Sequence, residues 1–326
     1  MSTASNNPVL RAWNNYWFPD APLLDLAILR IIAIGTQLGL MLFDPRYGLA
    51  HLAKMANVPD AFYRPLNFFQ PVIMLLGGHR ITVSEMQTVQ IVTIVIGIFA
   101  LIGLFSRVSI FLFALGCAII QLWILSHGDI HHPEAAMIIA LALLALAPSG
   151  AVLSVDAFLK RETREIGFRR QLLLTSREAK WPVLMVQWFF GLMYLSAFWA
   201  KLSIGDLQWA NGYTLQYYMA QDGARWNSLL GTWMSQFHWL NFLGQWGILL
   251  FQGTFFISLL LPILKWIYVP AGMLMHIGIY LTLEAPFFQW SALYFVFVPW
   301  TAMLILMKWL PASEAQGIRL SRASAG

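Results

Sequence analysis

The chain has 326 residues, of which 59% are hydrophobic and only 11% charged, with a formal net charge of +5 and a mean hydropathy of +0.65. Soluble domains carry roughly 25% charged residues, so this composition excludes a water-solvated globule for most of the chain. The pI near 9.4 requires no nucleic acid, because the basic residues gather in one segment between apolar stretches, where they serve topology and anionic lipid.

A hydrocarbon core about 30 Å thick asks for roughly 20 apolar residues per helix. Such stretches fall near 24–43, 89–105, 108–126, 134–153, 182–200, 239–264, 267–284 and 287–309. Backbone amides in lipid must pair within the chain, which leaves helices or a closed barrel, and runs such as Ala135–Ala147 lack the alternation of barrel strands. The predicted fold is all-α, a polytopic transmembrane helical bundle of about eight spans in a single domain, 1–326. The first twenty residues carry no apolar h-region, and no small-residue cleavage site follows the first span, so Leu24–Phe43 reads as a retained helix and not a signal peptide. Phe62–Leu76, interrupted by Arg64, Pro65 and Pro71, and Tyr213–Trp239, rich in Tyr and Trp, predict interfacial or re-entrant pieces. Cys117 is the single cysteine, which forbids an intrachain disulfide and reads as a packing residue.

The segment 154–181 holds Lys160, Arg161, Arg164, Arg169, Arg170, Arg177 and Lys180, and so dense a cationic run marks a cytoplasmic loop. Alternation then places 1–23 and the tail 310–326 on the cytoplasmic side. Thirteen Lys/Arg lie on that side, against Arg46, Lys54, Arg64, Arg80 and Arg225 opposite. An integral protein of a bacterial inner or cell membrane is predicted, with both termini inside and the interfacial pieces on the outer face.

Ionisable groups within spans are costly and need a reason. Asp25 and Arg30, five residues apart in the first helix, do not share a helical stripe, which predicts a structural partner on another element for each. Between the third and fourth stretches, His127, Asp129, His131, His132 and Glu134 crowd into eight residues. This run reads as a polar turn ahead of Pro133, as acid–base machinery in a cavity, or as a metal site. The spacing that puts two ligands on one helix face is absent, and no metal is assigned. Lys201 ends the fifth stretch, where it either snorkels to the interface or, enclosed, supplies a neutral amine as a general base. His276 lies mid-span among small residues that permit close helix approach, as an interhelical hydrogen-bonding group or a member of the same site. The orientation puts His132, Lys201 and Glu284 at one level, with His276 deeper.

The stretch Tyr194–Met219, YLSAFWAKLSIGDLQWANGYTLQYYM, resembles the identifying segment of the horizontally transferred transmembrane family, whose animal member is the vitamin K-dependent γ-glutamyl carboxylase. Lys201 falls on the second lysine of that family's Y-F-x-A-G-x-K-K-L pattern, and Trp209, Gly212 and Tyr213 fall on its W-x-x-G-Y. His132 ahead of Ser154-Val155-Asp156, His276 ahead of the aromatic 287–300 stretch, and Arg30 are similar in spacing to further family positions. The resemblance implies a carboxylase-like lyase in which Lys201 deprotonates a reduced, vitamin K hydroquinone-like quinone. It also implies that His132 stabilises developing charge, with His276 alongside and Trp209, Gly212 and Tyr213 near the cofactor. The implied partners are the bilayer and a peptide or small-molecule substrate at the outer face. A non-catalytic membrane accessory protein that binds a partner peptide or protein is the alternative.

Overall fold

The computed structural model describes residues 7–128 and 133–311. The principal helices are α1 (Pro8–Trp17), α2 (Leu23–Phe43), α3 (Val83–Ile102), α4 (Ser106–Leu125), α5 (Pro133–Leu146), α6 (Lys180–Gly205), α7 (Tyr213–Trp226), α8 (His238–Thr254), α9 (Lys265–Leu283), α10 (Phe288–Leu293) and α11 (Trp300–Leu306). Among the described residues, the only strands are the two-residue β1 (Ala21–Pro22) and β2 (Thr175–Ser176), paired antiparallel.

Among the described residues, six helical stretches are long and apolar enough to cross a bilayer: α2, α3, α4, α6 extended to Ala210, His238–Leu260 and Pro262–Leu283. A seventh is reached if Phe288–Phe297 and Trp300–Leu306 count as one broken span. The chain is an integral membrane protein. Its long spans fall short of the predicted eight for local reasons. The 134–153 stretch forms only the 14-residue α5, because Pro148, Ser149 and Gly150 turn the chain after Leu146. The last stretch breaks at Val298 and Pro299.

Contacts divide the chain into two compact units, residues 1–184 with 298–326, and residues 185–297. In the first, α3 packs on α4, α4 on α5, and α2 on both α3 and α5, which closes a four-helix bundle. The pattern of α3 is the reverse of a soluble helix. Ile91, Val92, Val95, Ile98, Phe99 and Ile102 are exposed on one face, while Met86, Gln90, Thr93, Gly97 and Ala100 are buried on the other. Lipid is as apolar as any core, so the inward face is chosen for close approach and hydrogen bonding, not hydrophobicity.

Hydrogen bonds lock one end of this bundle. Arg30 is fully buried and donates to the carbonyls of Ser149 at 3.2 Å and Leu153 at 2.5 Å. Asp156 accepts from the Phe105 amide at 2.8 Å, the Ser106 amide at 2.7 Å and the Ser106 hydroxyl at 2.6 Å. Its own amide donates to Gly103 at 3.0 Å. Gly103 has φ of 72°, and a Cβ there would collide with Ser154 and the Arg30 guanidinium, so this turn requires glycine. Asp25 accepts from the amide and hydroxyl of Thr301, both at 2.7 Å. The Leu23 amide donates to Leu174 at 3.0 Å, over a core of Ala21, Leu23, Ala27, Val152, Leu174 and Ala179.

The second unit has an aromatic interior. Phe190, Phe255, Tyr194, Tyr294 and Trp290 are buried, with most of their ring centroids 5–6.5 Å apart. The α6–α7 turn is set by Trp209, Gly212 and Tyr213. The Trp209 carbonyl accepts from the Gln245 amide, and the Tyr213 ring lies 4.2 Å from that of His238. Gly212 has φ of 90°, and a Cβ there would meet His238 at 2.8 Å and the Phe242 backbone at 3.1 Å. The predicted interfacial pieces are short helices, among them Gln70–Leu75 in the first unit and α7 with Leu229–Met234 in the second.

Two stability outcomes follow. Asp156→Ala strands three donors and is expected to lower stability by about 3 kcal/mol in denaturant titration of the detergent-solubilised protein. Gly212→Ala is expected to cost about 2 kcal/mol in the same assay, through positive φ and crowding together.

Candidate functional site

At the opposite end of the four-helix bundle from the Arg30 lock, a cavity of about 290 Å³ is lined by Met55, Ala56, Arg80, Ile81, Thr82, Val83, Trp123 and His127. Its walls are pinned by hydrogen bonds. The Trp123 indole donates to the Ile81 carbonyl at 3.0 Å, and the Arg64 amide donates to Ser126 at 2.7 Å. Trp123 and His127 stand one turn apart at the end of α4, with ring centroids 4.4 Å apart. The imidazole Nδ1 lies 2.8 Å from the Trp123 carbonyl. A carbonyl only accepts, so Nδ1 carries the proton and Nε2 presents a lone pair in the neutral ring.

Arg80 faces that lone pair, its guanidinium nitrogen 3.4 Å from Nε2. The guanidinium also lies 4.8 Å from the centre of the Tyr63 ring, which is 5.0 Å from His127. Burial and the Arg80 charge together hold the His127 pKa below its ordinary value, although the bond to Trp123 opposes them. Burial likewise raises the Tyr63 phenol, and the Tyr63 hydroxyl has no hydrogen-bond partner among the described residues. The cavity thus offers a cationic donor, a neutral acceptor and aromatic walls.

The second unit holds a separate polar group. The Tyr194 hydroxyl is 2.8 Å from His276 Nε2 and 2.6 Å from the Tyr294 hydroxyl. Gly272 lets Tyr294 approach, since a Cβ there would overlap its hydroxyl. His276 Nδ1 is buried without a partner among the described residues, between the Phe287 and Trp290 rings.

Lys201 takes no part in this network. Its ammonium donates to the Ala197 carbonyl at 3.4 Å and lies 5.2 Å from the Trp209 ring centre. His132, with Asp129 and His131, lies outside the described residues. Arg80, Trp123, Tyr63, Tyr194 and Tyr294 were not marked by sequence reasoning. The Trp123–His127 spacing of four, one helical turn, was a usable signal, as were tyrosines inside apolar spans. Among the described residues, no three His, Cys, Asp or Glu side chains gather as a metal-holding group.

A family model described as "TQO small subunit DoxD" matches residues 66–181, where TQO denotes thiosulfate:quinone oxidoreductase. No curated protein and no solved structure shows significant similarity to the chain. The match corrects the resemblance to the horizontally transferred transmembrane family. The W-x-x-G-Y spacing that suggested it has a local explanation, because the α6–α7 turn needs Gly212 at positive φ and Tyr213 against His238. The carboxylase-like lyase chemistry inferred for Lys201 and His132 loses its basis with that correction. The matched stretch contains α3, α4 and α5, together with Arg80, Trp123 and His127 of the cavity, and is similar to a small subunit of a quinone-linked oxidoreductase.

Proposed function

We propose that this chain is the membrane subunit of a quinone-linked oxidoreductase and that its Arg80–His127 cavity receives the quinone headgroup. The observation that carries the reading is a polar edge on an otherwise apolar cavity, inside the stretch that matches the DoxD family. A volume of about 290 Å³ is at the small end of ligand pockets, the scale of one substituted ring without its tail. The Lys/Arg distribution supports an outer location for this end, with both termini and the 154–181 segment inside. The sequence pattern of about eight spans belongs to the same reading.

A quinone supplies a two-electron, two-proton couple when bound. Arg80 would hold a ring oxygen through its guanidinium, and His127 Nε2, the nitrogen left unprotonated by the Trp123 carbonyl, would take a hydroxyl proton. Trp123, Ile81 and Met55, all buried, would line the faces of a bound quinone ring. Protonation of His127 would remove the acceptor and set an imidazolium beside Arg80.

A second reading, favoured by the unpartnered Nδ1 of His276, places the quinone oxygen there instead, with Tyr194 and Tyr294 as a hydrogen-bonded chain behind it. In that reading Lys201 and the Trp209–Gly212–Tyr213 turn shape the second unit around the site.

Equilibrium binding of a short-chain ubiquinone or menaquinone analogue to the purified protein separates the two. Arg80→Gln and His127→Ala are each expected to weaken binding by about tenfold or more, a loss of at least ~1.4 kcal/mol, while His276→Ala binds as wild type. Loss confined to His276→Ala selects the second reading, and unchanged binding in all three variants removes both. Binding should also weaken as pH falls below about 6.5 towards the depressed His127 pKa. The sign for stability is the same. A histidine held neutral in the fold contributes fully above the unfolded pKa, and its contribution is lost as pH falls through the folded one. A His127→Gln variant should flatten this acid limb in both measurements.

A further inference from the structure

We infer that α1 is a membrane-surface helix whose exposed aromatic face inserts at the headgroup boundary of the bilayer. None of its ten residues is buried. Val9, Leu10, Trp13 and Tyr16 are 72%, 49%, 57% and 41% exposed. At 100° per residue, these four and Trp17 fall within an arc of about 120°, with Arg11 and Asn15 on the opposite side and Asn14 flanking the arc. Trp17 joins Trp13 and Tyr16 in one ring cluster, with centroids 5.5 and 5.2 Å away. So large an apolar face on a formed helix needs a partner.

The helix is defined locally. Asn7 caps it by accepting from the Val9 amide at 2.9 Å, Pro8 occupies its first turn, and the Phe18 amide closes it on Asn14. Its far end is tethered, since Arg177 donates to the Phe18 carbonyl at 2.9 Å and β1 pairs with β2 immediately afterwards. Only Phe18–Pro22 separates α1 from the membrane-crossing α2, so the aromatic face is held at the level where that span enters the lipid. Trp and Tyr favour this boundary because their rings are apolar while their N–H and O–H groups reach water. The exposed cations Arg169 and Arg170 lie in the segment that leads to this tether, where they attract headgroups. Continuity with the α2 span, ring composition and nearby positive charge all identify the bilayer as the occupant, in preference to a second copy of the chain.

Nitroxide accessibility of the full-length protein in lipid nanodiscs tests this directly. Cys117 is buried in α4 and can stay, with unlabelled wild type as the control. A label on Trp13→Cys is expected to be relaxed more by oxygen, which dissolves in lipid, than by an aqueous nickel complex. A label on Asn15→Cys should show the reverse order. Nickel preference at both positions overturns the proposal, and so does a residue 13 label shielded from both reagents, which would mean that protein covers the face. Val9→Cys reports on the same arc should Trp13→Cys fail to insert.

Discussion

Arg30 sits about two turns into α2 with its guanidinium sealed from solvent, where an unsatisfied cation would cost several kcal/mol. It is tolerated because the backbone after α5 leaves helical geometry and turns the Ser149 and Leu153 carbonyls towards it. The same exchange rescues the backbone, since carbonyls released from a helix at membrane depth need a donor as much as the cation needs acceptors. Asp156 extends the bargain to the α3–α4 turn by holding three donors of Phe105 and Ser106. Two connections, the segment after α5 and the α3–α4 turn, are thereby fixed at the α2 end that carries Arg30.

The other end is arranged differently. Its polar groups border a cavity, with Arg80 and His127 paired at its edge. The Trp123 indole and the Arg64 amide spend their hydrogen bonds on the walls, and the Trp123 carbonyl fixes the His127 tautomer. Arg80 and His127 are then left facing the same space at 3.4 Å. One end thus wraps its charges in backbone contacts, and the other sets them at the border of a cavity, which is what separates a structural cluster from a ligand site within a single bundle.

Much of the fold was readable from composition, because a bilayer imposes one length and one backbone rule on every span. Leu23–Phe43 and Ser106–Leu125 lie within two residues of their predicted stretches, and Val83–Ile102 begins six residues ahead of its own. The predictions diverged where a short break weighed more than average hydropathy, as at Pro148–Gly150 and at Val298–Pro299. The site was less legible. Arg80 looks like one more topology charge until the turn before α3 carries it to His127, a neighbour 47 residues away. Tyr194 and Tyr294 stand 100 residues apart, and no periodicity announces their 2.6 Å contact. The family resemblance failed for a related reason, since a tight turn selects its Trp, Gly and Tyr for geometry, and unrelated chemistries can share that geometry.

The brevity of α5 has a mechanical outcome for the surrounding membrane. Its 14 residues rise only about 21 Å, against a hydrocarbon slab of about 30 Å, while its bundle neighbours α3 and α4 have 20 residues each. A helix of that rise meeting lipid is matched by local thinning, by tilt or by snorkelling of its flanking side chains, each at a cost of fractions of a kcal/mol per ångström.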